Sequence, residues 1–257
     1  MKIACVQQAH NPGGVSENRT KALYFAEDAL NRGVELILFH EEMLVGYDPG
    51  FRLLAEPVDG ETTQSFRRLL QGSGSKIIYG LTESSGDNLY ISATVVAQDG
   101  VVANYRKTHL WRDTIGVRNE PESFTAGDEL VAFEHGGYQF GLLICYDGDF
   151  PEMFRAYAKM GCAGVLWMNN RESRGHSDRC QNAAVDNSLI VATSCCCGTD
   201  ETGQSLRGLS NIVDCDGVLL AELDRDEGII IADVDPARAL AMRPQNPWFT
   251  GLRPELY

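Results

Sequence analysis

The chain has no apolar run close to the roughly 20 residues that a membrane-spanning helix needs. Its start, Met1-Lys2-Ile3-Ala4-Cys5, enters a strand pattern without a secretory hydrophobic segment or a cleavage site. A soluble cytoplasmic protein with no membrane partner is the expectation. Basic residues are scarce: 22 Lys and Arg stand against 36 Asp and Glu, a formal charge of −14. With no basic–aromatic strip either, no nucleic-acid partner is expected. Only five histidines occur, none at ligand spacing from another, so no metal site is expected. Gly72-Ser73-Gly74-Ser75 lacks the strand context of a dinucleotide fingerprint and the lysine of a phosphate loop, and reads as a flexible connection. No internal repeat or low-complexity segment is visible. Eight cysteines are present, but a chain of 257 residues dilutes them below the density of a disulfide scaffold. Cys5 and Cys162 sit in apolar surroundings and read as core thiols. Cys195, Cys196 and Cys197 are consecutive, so strand alternation sends their side chains to opposite faces, unlike the separated pairs of a zinc knuckle.

What is present is enough apolar material, 44% of the residues, for one sizeable α/β domain over residues 1–257. Short apolar strands alternate with amphipathic helices. Strands are expected at 2–7, 34–39, 76–82, 89–98, 101–105, 139–144, 164–168, 189–193, 209–214, 218–223 and 228–234. Helices are expected at 17–32, 62–71, 151–160 and about 176–187. Gln98-Asp99-Gly100 and Asp216-Gly217 carry hairpin signals, and Gly136-Gly137 reads as a turn before a strand. Residues 106–128, with scattered charges, Pro121 and two glycines, read as an irregular active-site loop. Periodicity alone does not choose between a doubly wound sheet and two stacked sheets covered by helices.

Three strand-end segments can do chemistry. Phe39-His40-Glu41-Glu42 puts a carboxylate where a cleft opens, and partial burial there favours proton transfer; on its own the segment reads first as a solvated loop bearing both glutamates. Tyr105-Arg106-Lys107-Thr108-His109-Leu110 offers an ammonium to a developing oxyanion, or merely a surface cation, with His109 a base, a ligand or a polar core residue. Phe140-Gly141-Leu142-Leu143-Ile144 drives a strand to Cys145, and Tyr146-Asp147-Gly148-Asp149 turns the chain before Phe150-Pro151-Glu152 opens a helix. That setting presents a thiol near unpaired backbone donors and the positive end of a helix, with the Tyr146 N–H as the oxyanion donor. A buried inert thiol competes evenly with this reading until the segments are taken together.

Taken together, in this order and at these separations, the three segments resemble the motifs of the nitrilase or carbon–nitrogen hydrolase superfamily over almost the whole chain. Phe39 to Tyr47 is similar to its base-bearing segment, with His40 where proline is usual; Tyr105 to Leu110 is similar to its lysine motif, and Cys145 to Glu152 to its nucleophile motif. The likeness continues at Ala184-Val185-Asp186-Asn187, Gly208-Leu209-Ser210 and Arg253-Pro254-Glu255-Leu256-Tyr257. The resemblance implies an αββα four-layer sandwich, catalytic Glu41, Lys107 and Cys145, a supporting Glu120 (with Glu122 as its neighbour and rival), and no cofactor. It also implies at least a homodimer joined through helices. Tyr47, Trp111, Asp147, Trp167 and Asn169 are the residues expected to line a substrate pocket.

The branch follows from the nucleophile segment. Tyr146 and Asp147 stand where true nitrilases carry tryptophan and glutamate, and Asp149 stands where many carbamoyl-cleaving members carry arginine. Gly148-Asp149-Phe150-Pro151-Glu152 is closer to the amidase and formamidase variants. The expected reaction is hydrolysis of a small amide to a carboxylic acid and ammonia through a cysteine thioester. The alternatives are an N-carbamoyl amine or amino acid as substrate, then a nitrile, then a catalytically weak homologue acting in protein association.

Overall fold

A computed structural model describes every residue except 10, 47–49, 113–118, 171–174, 201, 202, 204 and 257. The first half runs β1 (Lys2–Gln7), α1 (Val15–Asn31), β2 (Leu36–Leu38), α2 (Phe51–Leu54), α3 (Glu61–Leu69), β3 (Lys76–Ser85), β4 (Asn88–Ala97) and β5 (Gly100–Arg106). Next come β6 (Ala132–His135), β7 (Tyr138–Ile144), α4 (Pro151–Lys159), β8 (Gly164–Asn169), α5 (Gly175–Asn187) and β9 (Ile190–Cys195). The chain finishes with β10 (Cys197–Thr199), β11 (Ser205–Arg207), β12 (Asn211–Val213), β13 (Leu219–Glu222), β14 (Gly228–Asp233), α6 (Pro236–Met242) and α7 (Pro247–Thr250).

These strands form two six-stranded sheets, ordered β14-β1-β2-β3-β4-β5 and β13-β12-β9-β8-β7-β6, with β10 and β11 as a separate hairpin. Each sheet has three parallel strands at its centre, β1-β2-β3 and β7-β8-β9, and antiparallel strands outside them. Strand parity explains the layering. Ile3, Cys5, Leu36 and Leu38 of the first sheet meet Leu142, Ile144, Leu166 and Met168 of the second in one central core. The alternate residues Ala4, Val6 and Ile37 pack outward on Ala22, Ala26 and Ala29 of α1 and Phe66 of α3. Leu143, Val165 and Trp167 pack outward on Phe154 and Tyr157 of α4 and Ala184 of α5. Central strands buried on both faces read as continuous apolar runs for this reason, and the result is an αββα four-layer sandwich.

Most expected elements are present within a few residues. The unforeseen ones are the short α2, the β10–β11 hairpin, the separate β6 before Gly136-Gly137, and the C-terminal helices. The strand at 228–234 pairs across the chain with β1, Lys2 opposite Asp233, rather than with a sequence neighbour. The three consecutive cysteines are all buried. β9 ends at Cys195 and β10 begins at Cys197, so the simple alternation expected of them is broken at Cys196. This fold brings the C-terminal ends of β2, β5, β7, β8 and β9 to one region, and the candidate site is built there.

Candidate active site

Glu41 lies in the turn after β2, which packs so closely on β3 that a Cβ on Gly80 would sit 2.3 Å from His40 O and 2.7 Å from Glu41 Cα. Only glycine permits that approach. Lys107 follows β5 and is fully buried, a placement an alkylammonium tolerates only with counter-charges. It has two: Nζ donates at 2.8 Å to Glu41 Oε1 and at 2.8 Å to Glu120 Oε1. Glu120 is buried in a turn of 3₁₀-helix at 120–122, and its Oε2 accepts the Trp111 N–H at 2.6 Å. Both Glu120 oxygens are thus engaged in holding the lysine and its loop. Glu122, the rival position, is exposed and bonded to Asn119.

Cys145 follows β7 in a tight turn, 145–149, that leads into α4. Its φ of 46° lies in the left-handed region that side-chain-bearing residues seldom adopt, a strain typical of residues whose placement serves chemistry. Its thiol lies beside the Glu41 carboxylate and favours that group's charged form. Glu42, with φ of 50°, is the neighbouring strained residue, and its carboxyl is buried and bonded to Thr82.

Burial pushes the Glu41 carboxyl above its ordinary value, with the Lys107 charge pulling the other way and Glu120 adding to the rise. A carboxylate so balanced accepts a proton more readily than a free one. Burial alone would lower Lys107, but Glu120, Glu41 and Cys145 outweigh it and hold the ammonium well above its ordinary value. Lys107 is therefore a fixed cation and not a base. It has three N–H donors; the two carboxylates use two and one remains. Burial raises Glu42 to about 8, against the opposing Thr82 hydrogen bond, so it is protonated at neutral pH.

Three residues expected to line the pocket make contacts within the scaffold. Asp147 is fully buried and accepts five hydrogen bonds: Ile144 N–H (3.1 Å) and Tyr105 O–H (2.8 Å) on Oδ2, and His109 N–H (2.8 Å), Thr108 O–H (2.9 Å) and His109 Nδ1 (3.0 Å) on Oδ1. It ties the nucleophile turn to residues on both sides of Lys107. Trp167 is buried behind Cys145, donates from Nε1 to Cys145 O at 3.0 Å, and fills the space a Cβ on Gly148 would take, 2.2 Å from the indole. Asn169, two residues beyond Trp167 in β8, donates to Thr193 Oγ1 of β9 at 2.6 Å. Trp111 is 39% exposed and meets the Tyr146 ring edge-on at 4.9 Å. Phe150 also packs edge-on against the Tyr146 ring, with His109 stacked on it at 4.0 Å. Tyr47 lies outside the described residues.

Sequence reasoning gave no site role to Glu42, Asn170 or Cys196, which the fold places in the same region. Asn170 and Cys196 follow β8 and β9 directly, as Cys145 follows β7. Their position at parallel strand ends was the available signal.

The carbon–nitrogen hydrolase family profile matches residues 2–244. An (R)-stereoselective amidase from a Pseudomonas species is 31% identical, over 93% of this chain and 87% of that protein. A 2-oxoglutaramate amidase from Bacillus subtilis is 29% identical, over 99% and 98% of the two chains. The amidase from Nesterenkonia sp. AN1, in the structure showing Michael addition of acrylamide at its active-site cysteine, superposes with a TM-score of 0.79 at 27% identity, covering 98% of this chain and 100% of that one. The chain belongs to the carbon–nitrogen hydrolase family, on its amidase-like branch.

Proposed function

We propose that this enzyme hydrolyses the carbon–nitrogen bond of a small amide through a Cys145 thioester, with Glu41 as proton relay, Lys107 as oxyanion partner and Glu120 as the residue that positions Lys107. The observation that carries this assignment is the buried Lys107 ammonium held between Glu41 and Glu120, with the Cys145 thiol beside Glu41.

Glu41 Oε1 is taken by Lys107, which leaves Oε2 for the thiol proton. As that proton moves to Glu41, sulfur attacks the amide carbon and the carbonyl π-electrons move to oxygen. The oxyanion takes the remaining Lys107 N–H and the Tyr146 backbone N–H, donors in place before charge develops. Collapse expels the amine as Glu41 returns the proton to nitrogen, giving the acyl-thioester and ammonia. Water then adds to the thioester with Glu41 again taking a proton, and the second collapse releases the carboxylic acid and restores the thiol. Amide plus water becomes acid plus ammonia, with no net change in the enzyme.

An ammonia-release screen over primary amides, N-carbamoyl compounds and nitriles tests the reaction class. Rapid-quench mass spectrometry of the intact protein is expected to show an acyl adduct that depends on substrate and disappears in Cys145→Ala. The same adduct and full turnover in that variant would remove Cys145 from the mechanism. The family likeness supports a homodimer or larger homo-oligomer, which sedimentation velocity at micromolar concentration tests; a monomer under active conditions contradicts it. We place the enzyme in the cytoplasm, a reading supported by eight free thiols, which suit a reducing compartment.

A further inference from the structure

Asn170 and Cys196 stand at the ends of β8 and β9, beside the nucleophile that ends β7. Both are buried, Asn170 at 5% exposure and Cys196 at 0%. The Cys196 thiol donates to Asn170 Oδ1 at 2.8 Å. Burial pushes that thiol well above its ordinary value, helped by Cys195, Cys197, Glu41 and Cys145, so it keeps its proton and remains a donor. This fixes the amide: a protonated thiol is satisfied by the carbonyl oxygen, so Oδ1 faces Cys196 and Nδ2 faces away. Nδ2 has no hydrogen-bond partner among the described residues. A buried amide donor left unpaired costs about 1–3 kcal/mol, and such groups in native structures call for an explanation. Glu41 Oε2, assigned above to the thiol proton, is equally buried and equally unpartnered. Cys196 lies within electrostatic reach of both Glu41 and Cys145, which puts the Asn170–Cys196 pair in the reacting region rather than elsewhere in the core.

We propose that Asn170 is a substrate-binding residue: its Nδ2, oriented by the Cys196 thiol, donates a hydrogen bond to an oxygen acceptor on the acyl part of the amide, beyond the scissile carbonyl. The substrate class is then a small primary amide whose acyl chain carries a carboxylate, carbonyl or hydroxyl oxygen, not a plain alkyl amide. A site that leaves a donor unpaired discriminates strongly against a ligand lacking the acceptor, because the donor stays buried and unsatisfied. The inference rests on the amidase reading but makes a separate claim, about the acyl chain.

Three probes of similar length separate the possibilities: succinamate with a terminal carboxylate, 3-hydroxypropionamide with a hydroxyl, and butyramide with neither. For the wild-type enzyme, kcat/KM on at least one oxygen-bearing probe is expected to exceed that on butyramide by roughly 10-fold or more. Which of the two leads identifies the acceptor as charged or neutral. Asn170→Leu, close in shape but without the donor, is expected to collapse the ratio to within about twofold, chiefly through KM. Cys196→Val leaves Asn170 in place but unoriented, and is expected to reduce the ratio in part; it serves if Asn170→Leu does not fold. Equal losses on all three probes in these variants, or a wild-type enzyme indifferent to the acceptor, overturn the proposal. Hydrolysis of none of the three by the wild-type enzyme overturns the amidase reading instead.

Discussion

Lys107 Nζ and Glu41 Oε1 lie 2.8 Å apart with both side chains at zero exposure. This contact joins the proposed base and the proposed oxyanion partner in one electrostatic unit, and its loss has two separable effects. In Lys107→Met the oxyanion loses its cation, and turnover is expected to fall by roughly 100-fold or more, about 2.7 kcal/mol of barrier. The same change leaves Glu41 and Glu120 buried without their counter-ion, so a stability loss of about 3–5 kcal/mol is expected. Glu41→Gln removes the proton relay while leaving Lys107 paired with Glu120, so its turnover should fall comparably with a smaller stability loss. Single-turnover acylation and urea unfolding measure the two effects. Near-wild-type acylation in either folded variant would contradict its assigned role.

Asp147 gives a prediction about distance rather than charge. Its hydrogen bonds reach Tyr105, Thr108 and His109 around the lysine and Ile144 before the nucleophile. In Asp147→Asn one acceptor oxygen becomes an N–H donor, and on the Oδ2 side it would face the Ile144 N–H. The two halves of the site are then expected to drift apart, lowering kcat by roughly 10²-fold, the scale a 1 Å misplacement brings, with little change in KM. Tyr105→Phe removes one donor only and should lose much less. Unaltered acylation in folded Asp147→Asn would show that Cys145 and Lys107 are positioned without it.

The candidate set Glu41, Lys107 and Cys145, which the fold brings together, could be picked from the sequence because each follows a strand and sits in a distinctive string. The layers were legible where parity was simple, as at Ile3 and Cys5 against Ala4 and Val6. What escaped was direction within the site. Trp167 and Asp147 flank the nucleophile as expected, yet one lies behind it and the other is consumed by the lysine loop. Whether a polar residue beside a nucleophile faces substrate or scaffold depends on hydrogen bonds from distant strands, which local patterns do not encode. The same holds at the end of β8, where neighbouring Asn169 and Asn170 bond to different partners, Thr193 and Cys196. Glu42 was hidden because only the fold shows that Thr82 meets it in a dry interior.

Glu42 makes stability depend on pH. Its folded-state pKa is raised to about 8 from an ordinary 4.5, by burial first and by Glu41 and Glu120 in addition. Above 4.5 the unfolded chain releases this proton while the folded protein retains it. The contribution to stability is therefore full below 4.5, declines as pH rises, and is lost once pH passes about 8. Glu42→Gln keeps the shape without the titration. Its stability relative to wild type is expected to climb between pH 5 and pH 8 and then level off, as read from urea midpoints at pH 5, 7 and 9. A difference that does not change with pH would mean that Glu42 does not titrate in this window.

Arg243 is the test of the scaffold rather than the chemistry. Its guanidinium is 7% exposed and donates to Asn187 O (3.0 Å), Ala158 O (3.0 Å), Cys162 O (2.5 Å) and Ser188 O (3.2 Å). These are carbonyls at the C-terminal ends of α4 and α5, where orphan acceptors and the negative ends of two helices meet. A cation placed there satisfies both ends at once, and it holds together the helices that cover the outer face of the nucleophile's sheet. Arg243→Met leaves those carbonyls buried and unpaired, with an expected cost of about 3–5 kcal/mol. For a chain of this size that is a fall in Tm of roughly 10 °C. Arg243→Lys, with three donors for four carbonyls, should fall between the two. Because the guanidinium touches helix ends and not Glu41, Lys107 or Cys145, kcat per folded molecule is expected to stay within about twofold at temperatures well below the melt. A large kcat loss with an unchanged Tm would reverse the assignment and make Arg243 part of the active site.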